Sequence, residues 1–118
     1  MLEYTAHAAA AEARSLAVGM STQTVWASLG VESHASFAGI AARRTEELLA
    51  ALRILVATEL VVAVRALCMA GRRPGGAGTW DLFEAASSAL PAGLEDREFG
   101  RDVEVAGDLL AEWRWPTS

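Results

Sequence analysis

Between Ser36 and about Ala70 the chain carries two apolar stripes at helical spacing, and these constrain the fold more than anything else in it. Leu48, Leu52, Val56, Leu60, Ala63 and Leu67 form one stripe; Ile54, Ala57, Val61, Val64 and Cys68 form the other. Together they predict one long helix. The charges that interrupt them, Arg53, Glu59 and Arg65, are spaced by six residues. Six residues turn a helix by about 240°, so these charges point in three directions and leave no broad solvent face. About thirty-five helical residues span roughly 50 Å, whereas a compact domain of this length is about 35 Å across. Such a helix outgrows its own domain. It belongs in a multi-helix assembly with neighbours from another chain.

The rest of the sequence predicts helices too. Residues from about Glu3 to Val18 are rich in alanine and form a helix that Gly19 is placed to end. Met20 to Ala35 lacks helical periodicity and reads as a long loop. Loops of that length inside a domain usually carry function. Gly71 to Gly78 closes the long helix. It follows a helix and lacks a Lys-Ser/Thr ending, so it reads as a connector and not a phosphate cradle. Thr79 is expected to cap a short helix from Trp80 to about Leu90, which Pro91 closes. Asp102 is expected to open a last helix from Val103 to Trp113, with Trp113 and Trp115 docking the tail. The fold class is therefore all-α: a long-helix bundle fragment with a long loop at about 19–35, in a single helical domain spanning 1–118.

Composition narrows the function classes. The hydrophobic share of 53% is high for a soluble chain of 118 residues, which favours an apolar surface for a partner. A net charge of -5 argues against nucleic acid. There is no lysine, and the only dense arginine pairs are Arg43-Arg44 and Arg72-Arg73. The stretch from Ile54 to Leu67 is too short for a bilayer and is interrupted by Glu59 and Arg65. No membrane association is expected. A single cysteine, Cys68, excludes an internal disulfide and reads as a buried structural thiol; with no signal peptide in view, a cytoplasmic location is expected. His7, His34 and Cys68 have no metal-ligand spacing, so no metal is expected. His7 reads as surface or interface, and Glu59 and Arg65 as partner contacts or buried ion pairs.

The segment Val31-Glu32-Ser33-His34-Ala35-Ser36-Phe37-Ala38-Gly39-Ile40-Ala41-Ala42-Arg43 resembles the Gln-Glu-Asp-His-Val-Ser-Met-Gly-Pro-Ile-Ala-Ala-Arg stretch of histidine ammonia-lyases. Tyr4-Thr5-Ala6 resembles that family's Tyr-Thr-Ala, and the distance to Glu32 needs no gap. Glu59-Leu60, and Leu94-Glu95-Asp96-Arg97 followed by Asp102, extend the likeness downstream. The chain is thus similar to the C-terminal quarter of a histidine/phenylalanine (aromatic amino acid) ammonia-lyase.

The resemblance implies a cofactor that this chain does not encode. Family members cyclise an Ala-Ser-Gly tripeptide to a methylidene-imidazolone (MIO) electrophile, and no Ala-Ser-Gly occurs here. No cofactor is expected in this chain; MIO is expected in a larger, lyase-like partner carrying Ala-Ser-Gly. The implied role is the small subunit of a split, MIO-dependent amino-acid ammonia-lyase or aminomutase, not catalytic alone. It would complete the active site and the helical oligomer core of the partner. The alternative is a non-catalytic helical module for self-association or regulation. By register, Glu32 is the implied catalytic residue, and Val31, Glu32, Ser33 and His34 are the implied substrate-binding positions. Taken without the family, Glu32 reads as a solvated loop glutamate and His34 as a structural histidine. Val31 in place of Gln and Ser33 in place of Asp alter the pocket and leave the amino-acid substrate open.

Overall fold

The axis of the molecule is a 33-residue helix, Ala38–Ala70, and the computed structural model arranges the other elements along it. Residues 2–20, 37–93 and 95–114 are described, and they form α1 (Leu2–Leu16), α2 (Ala38–Ala70), α3 (Ala77–Ala89) and α4 (Gly100–Glu112), with no strand among them. The all-α expectation holds for the described residues. None of their helices is long and apolar enough to cross a membrane.

Local chemistry explains where α2 stops. Gly71 adopts the left-handed conformation (φ 59°). Its N–H donates to the Cys68 carbonyl, and the Arg72 N–H donates to that of Leu67. This paired closure satisfies carbonyls that the helix leaves without partners, and a side chain at Gly71 would strain it. Inside α2, the buried Thr58 hydroxyl donates to the Ile54 carbonyl at 2.8 Å, so its burial leaves no polar group unmet.

The two stripes of α2 have different fates. Ala57, Val61 and Val64, from the second stripe, are buried against Ala86 and Leu90 at the end of α3 and Val103 and Ala106 of α4. This is the core, and its side chains are small; Val61 is the largest that is fully buried. On another flank α1 lies along α2, with Ala9, Ala13 and Ala51 buried. The first stripe is covered only in part, with Leu60 packed against the core. Leu52, Val56 and Ala63 are exposed, Leu48, Leu60 and Leu67 are half-buried, and Leu49 beside them is 60% exposed.

One connector is fastened by charge. Arg97 makes a two-pronged ion pair with the buried Asp102, one arm at 2.8 Å. That hydrogen bond raises the Arg97 pKa above its ordinary value, so the guanidinium stays charged. The Arg65 and Arg97 guanidiniums lie 4.6 and 4.9 Å from the Phe99 ring centre, and Arg65 also donates to the carbonyls of Gly93 and Glu95. The ten-residue connector from α3 to α4 is thereby held onto α2.

Several expectations need correction. α1 ends at Leu16, three residues before Gly19, and α3 starts at Ala77, before Thr79. The Thr79 hydroxyl donates back to the Gly76 carbonyl and caps no N–H. Asp102 does not open α4, which begins at Gly100; it sits in the first turn and uses its carboxylate on Arg97. Cys68 is exposed and not a buried structural thiol. Arg65 makes contacts within the chain; His7, beside Glu3, lies at the surface as expected.

The molecule is a slab, 67 × 37 × 19 Å, with a radius of gyration of 19.7 Å. A compact chain of this length would have a radius near 13–14 Å. As its length required, α2 is not enclosed by its own chain.

Val61→Ala should cost about 2 kcal/mol in urea denaturation, because it opens a cavity in a close-packed core. Val56→Ala on the exposed part of the first stripe should stay within about 0.5 kcal/mol in the folded single chain. Val61→Asp should abolish the far-UV helical signal, since it places an unpaired carboxylate in the core; equal tolerance at positions 56 and 61 would contradict this division of the stripes.

Candidate functional site

Val31, Glu32, Ser33 and His34 lie outside the described residues, as does nearly all of the expected loop at 19–35. What the structure describes is the frame on either side of them: the end of α1 with Ala17 to Met20, and the start of α2 at Phe37 and Ala38.

That frame is built from backbone closure and one arginine. The Ala17 N–H donates to the Ala13 carbonyl at 3.0 Å, extending the last turn of α1, and the Ala41 N–H donates to Phe37 at 2.9 Å to begin α2. Arg44, near the start of α2, then reaches across. One arm donates to the Ser15 carbonyl at 2.7 Å and the other rests 3.6 Å from the Met20 sulfur. The two ends of the segment carrying Glu32 are therefore tied by a single side chain. A charged donor to a carbonyl at a helix end is a favourable use of guanidinium, because that end carries the negative pole of the helix dipole.

A cavity of about 170 Å³ lies in this frame, lined by residues including Leu16, Val18, Met20, Ala41, Arg44 and Leu48. Arg44 lines it, and its buried Nε has no hydrogen-bond partner among the described residues. Such an N–H favours an oxygen acceptor.

Sequence reasoning missed Arg44. It aligned the neighbouring Arg43 with the closing arginine of the family motif, and Arg43 is exposed. The available signal was the Arg43-Arg44 pair at the N-terminal end of a helix, where cations are disfavoured by the dipole and need a reason to be present. Tyr4, which belongs to the same resemblance, is 74% exposed on α1.

A second cavity, about 210 Å³, lies between α2, α3 and the connector; Cys68, Ser87, Arg65, Arg97 and Asp102 are among its lining residues. Its charged groups are the ones that fasten Phe99 and the connector. Among the described residues no three His, Cys, Asp or Glu side chains are grouped to hold a metal ion. The 118 residues contain no Ala-Ser-Gly from which an MIO group is made, so this chain does not fit that prosthetic group as its own and no step is routed through it.

Comparison with known proteins agrees with the sequence likeness. The profile of a family described as aromatic amino acid lyase matches residues 1–88. The chain is similar to the histidine ammonia-lyase of Natranaerobius thermophilus, with 33% identity over 95% of this chain and 22% of that protein. It is 29% identical to that of a Geobacillus species over 98% of this chain and 23% of the relative, and 29% identical to that of Bacillus subtilis over 93% and 22%. It therefore spans about a fifth of the length of the curated relatives it matches. No solved structure matches it.

Arg44→Ala should speed amide hydrogen exchange between Ala13 and Met20 about fivefold, the equivalent of roughly 1 kcal/mol for one net hydrogen bond. Exchange around Val61 should not change. Equal exchange in the variant and the parent would show that Arg44 does not tie the two ends.

Proposed function

Because the chain belongs to the aromatic amino acid lyase family, we propose that it is the small subunit of a split amino-acid ammonia-lyase or aminomutase, completing the active site of a larger partner chain. The observation that carries this reading is a pairing of presence and absence within one sequence. The motif segment around Glu32 is retained in register, whereas the Ala-Ser-Gly precursor of the electrophile does not occur. The exposed part of the first stripe of α2 supports it, since a helix stripped of its neighbours exposes this kind of surface.

In this reading the partner contributes MIO, which supplies the electron sink for removing a weakly acidic proton beside the substrate carboxylate. This chain contributes Glu32, whose carboxylate pairs with a cationic group of the substrate or carries a proton. Val31, Ser33 and His34 line the same pocket. With Val31 standing where the histidine enzymes have Gln, the site loses a side-chain hydrogen-bonding group. An amino acid other than histidine is then the better fit, as either a lyase or an aminomutase substrate. Arg44 acts as a positioning residue, fixing the span between the helix ends from which this segment hangs. The expected cytoplasmic location is consistent with a partnered metabolic enzyme.

A second reading, a non-catalytic module descended from the family, is favoured by the changed flanks of Glu32. One experiment separates the two. Co-expression with a C-terminally short lyase chain carrying Ala-Ser-Gly should give a stable complex that releases ammonia from an amino acid. Glu32→Gln should lower that activity by about a hundredfold, the lower range for a lost acid-base group, with the complex intact. An unchanged rate would favour the non-catalytic module, and a partner equally active alone would remove the need for this subunit.

A further inference from the structure

We propose that the cavity between α2, α3 and the connector from α3 to α4 is a binding site for a small monocarboxylate with a compact apolar body. The inference goes beyond the proposed subunit role, because it uses neither Glu32 nor a partner chain. Arg65, in its lining, is about 30 Å along α2 from Arg44 at the helical rise of about 1.5 Å per residue. This cavity and the frame around Glu32 are separate places.

The first argument is a pair of stranded donors. Ser87 and Arg97 both line the cavity. The Ser87 hydroxyl and the Arg97 Nε–H are buried, and neither has a hydrogen-bond partner among the described residues. Native structures leave few such groups, and each calls for an acceptor. Thr45, Thr58 and Ser88 satisfy their hydroxyls on the carbonyl four residues back. Ser87, on the same helix as Ser88, does not. Arg97 places its two terminal nitrogens on Asp102, which leaves Nε over. Both donors are covered from bulk solvent, and a hydrogen bond made in such a low-dielectric site is stronger than one in water.

Charge and lining define what fits. Two guanidiniums, Arg65 and Arg97, and one carboxylate, Asp102, belong to the lining, which gives it one net positive charge. Glu95 also acts on Arg97, but it is exposed and outside the lining, where water and salt screen it. A monoanion is the complement. A carboxylate suits it, because both oxygens accept from N–H and O–H donors and neither has to donate. Val64, Leu90 and Pro91 supply apolar wall. At about 210 Å³ the cavity exceeds the roughly 150 Å³ that takes a benzene ring. There is room for a ring or a branched chain beside the carboxylate, and a phosphate would leave the apolar wall unmet.

The test is a titration of the whole chain at constant pH with 3-methylbutanoate and with benzoate, followed by backbone N–H chemical shifts. Either acid should shift Ser87, Leu90, Gly93 and Arg97 along one isotherm, with a Kd on the order of 1 mM, the range open to so few heavy atoms. Arg44 should not shift. The uncharged isostere 3-methylbutanamide and inorganic phosphate should each bind about tenfold more weakly, as loss of a charge-assisted bond or of the apolar contact requires. Ser87→Ala should weaken both acids about fivefold, the loss of one net hydrogen bond. Alanine favours a helix more than serine does, so the variant keeps its fold. Absence of shifts with both acids overturns the proposal, as does an affinity that Ser87→Ala leaves unchanged. Phosphate binding as tightly as the acids would show an adventitious ion only, and equal binding of the butanamide an uncharged crevice; either overturns the monocarboxylate assignment. An inactive co-expressed lyase complex would not alter this titration, so the two readings fail separately.

Discussion

The burial of one stripe of α2 by small residues from α3 and α4 is the contact on which the rest of the structure depends. Ala57, Val61 and Val64 meet Ala86, Leu90, Val103 and Ala106, with nothing larger than valine fully enclosed. Small side chains let helix axes approach closely, but each contributes little apolar area. A core of this kind is sensitive to volume and thin in energy. The chain adds polar fastening where the core runs out: the Arg97–Asp102 pair and the two guanidiniums on Phe99 hold the connector that brings α4 back to α2.

The same economy explains the shape. A 33-residue helix cannot be wrapped by three shorter ones, and two of them, α3 and α4, share one side of it. α1 takes another flank with alanines. What remains exposed is the part of the first stripe around Leu49, Leu52 and Val56. The chain matches about a fifth of the length of its relatives, and that exposed face is what connects the fold to the proposed subunit role. Family membership supplies the chemistry for that proposal; the geometry supplies the frame tied by Arg44.

Much of the site remains where sequence alone put it. Glu32 and its neighbours owe their assignment to register with the lyase motif, and they lie outside the described residues. The structure adds what borders them. Arg44 was hidden from pattern reading because its role depends on the carbonyl of Ser15 and the sulfur of Met20, both distant in sequence. Arg97 and Asp102 were legible as part of the resemblance, but their pairing was not, because five residues apart across a helix start is no regular spacing.

Sequence by itself determined that the chain is helical, that a long helix begins near Ser36 and ends at Gly71, and that this helix carries two apolar stripes. Those facts follow from local periodicity and from the left-handed backbone that glycine permits. Only the tertiary structure decided which stripe is core. Both have the spacing and composition of a buried face, so the choice rested on where α3 and α4 could reach, given a short turn and a connector clamped at Phe99. The outcome is an exposed Cys68 and a buried Val61, a difference no count of apolar residues along the chain contains.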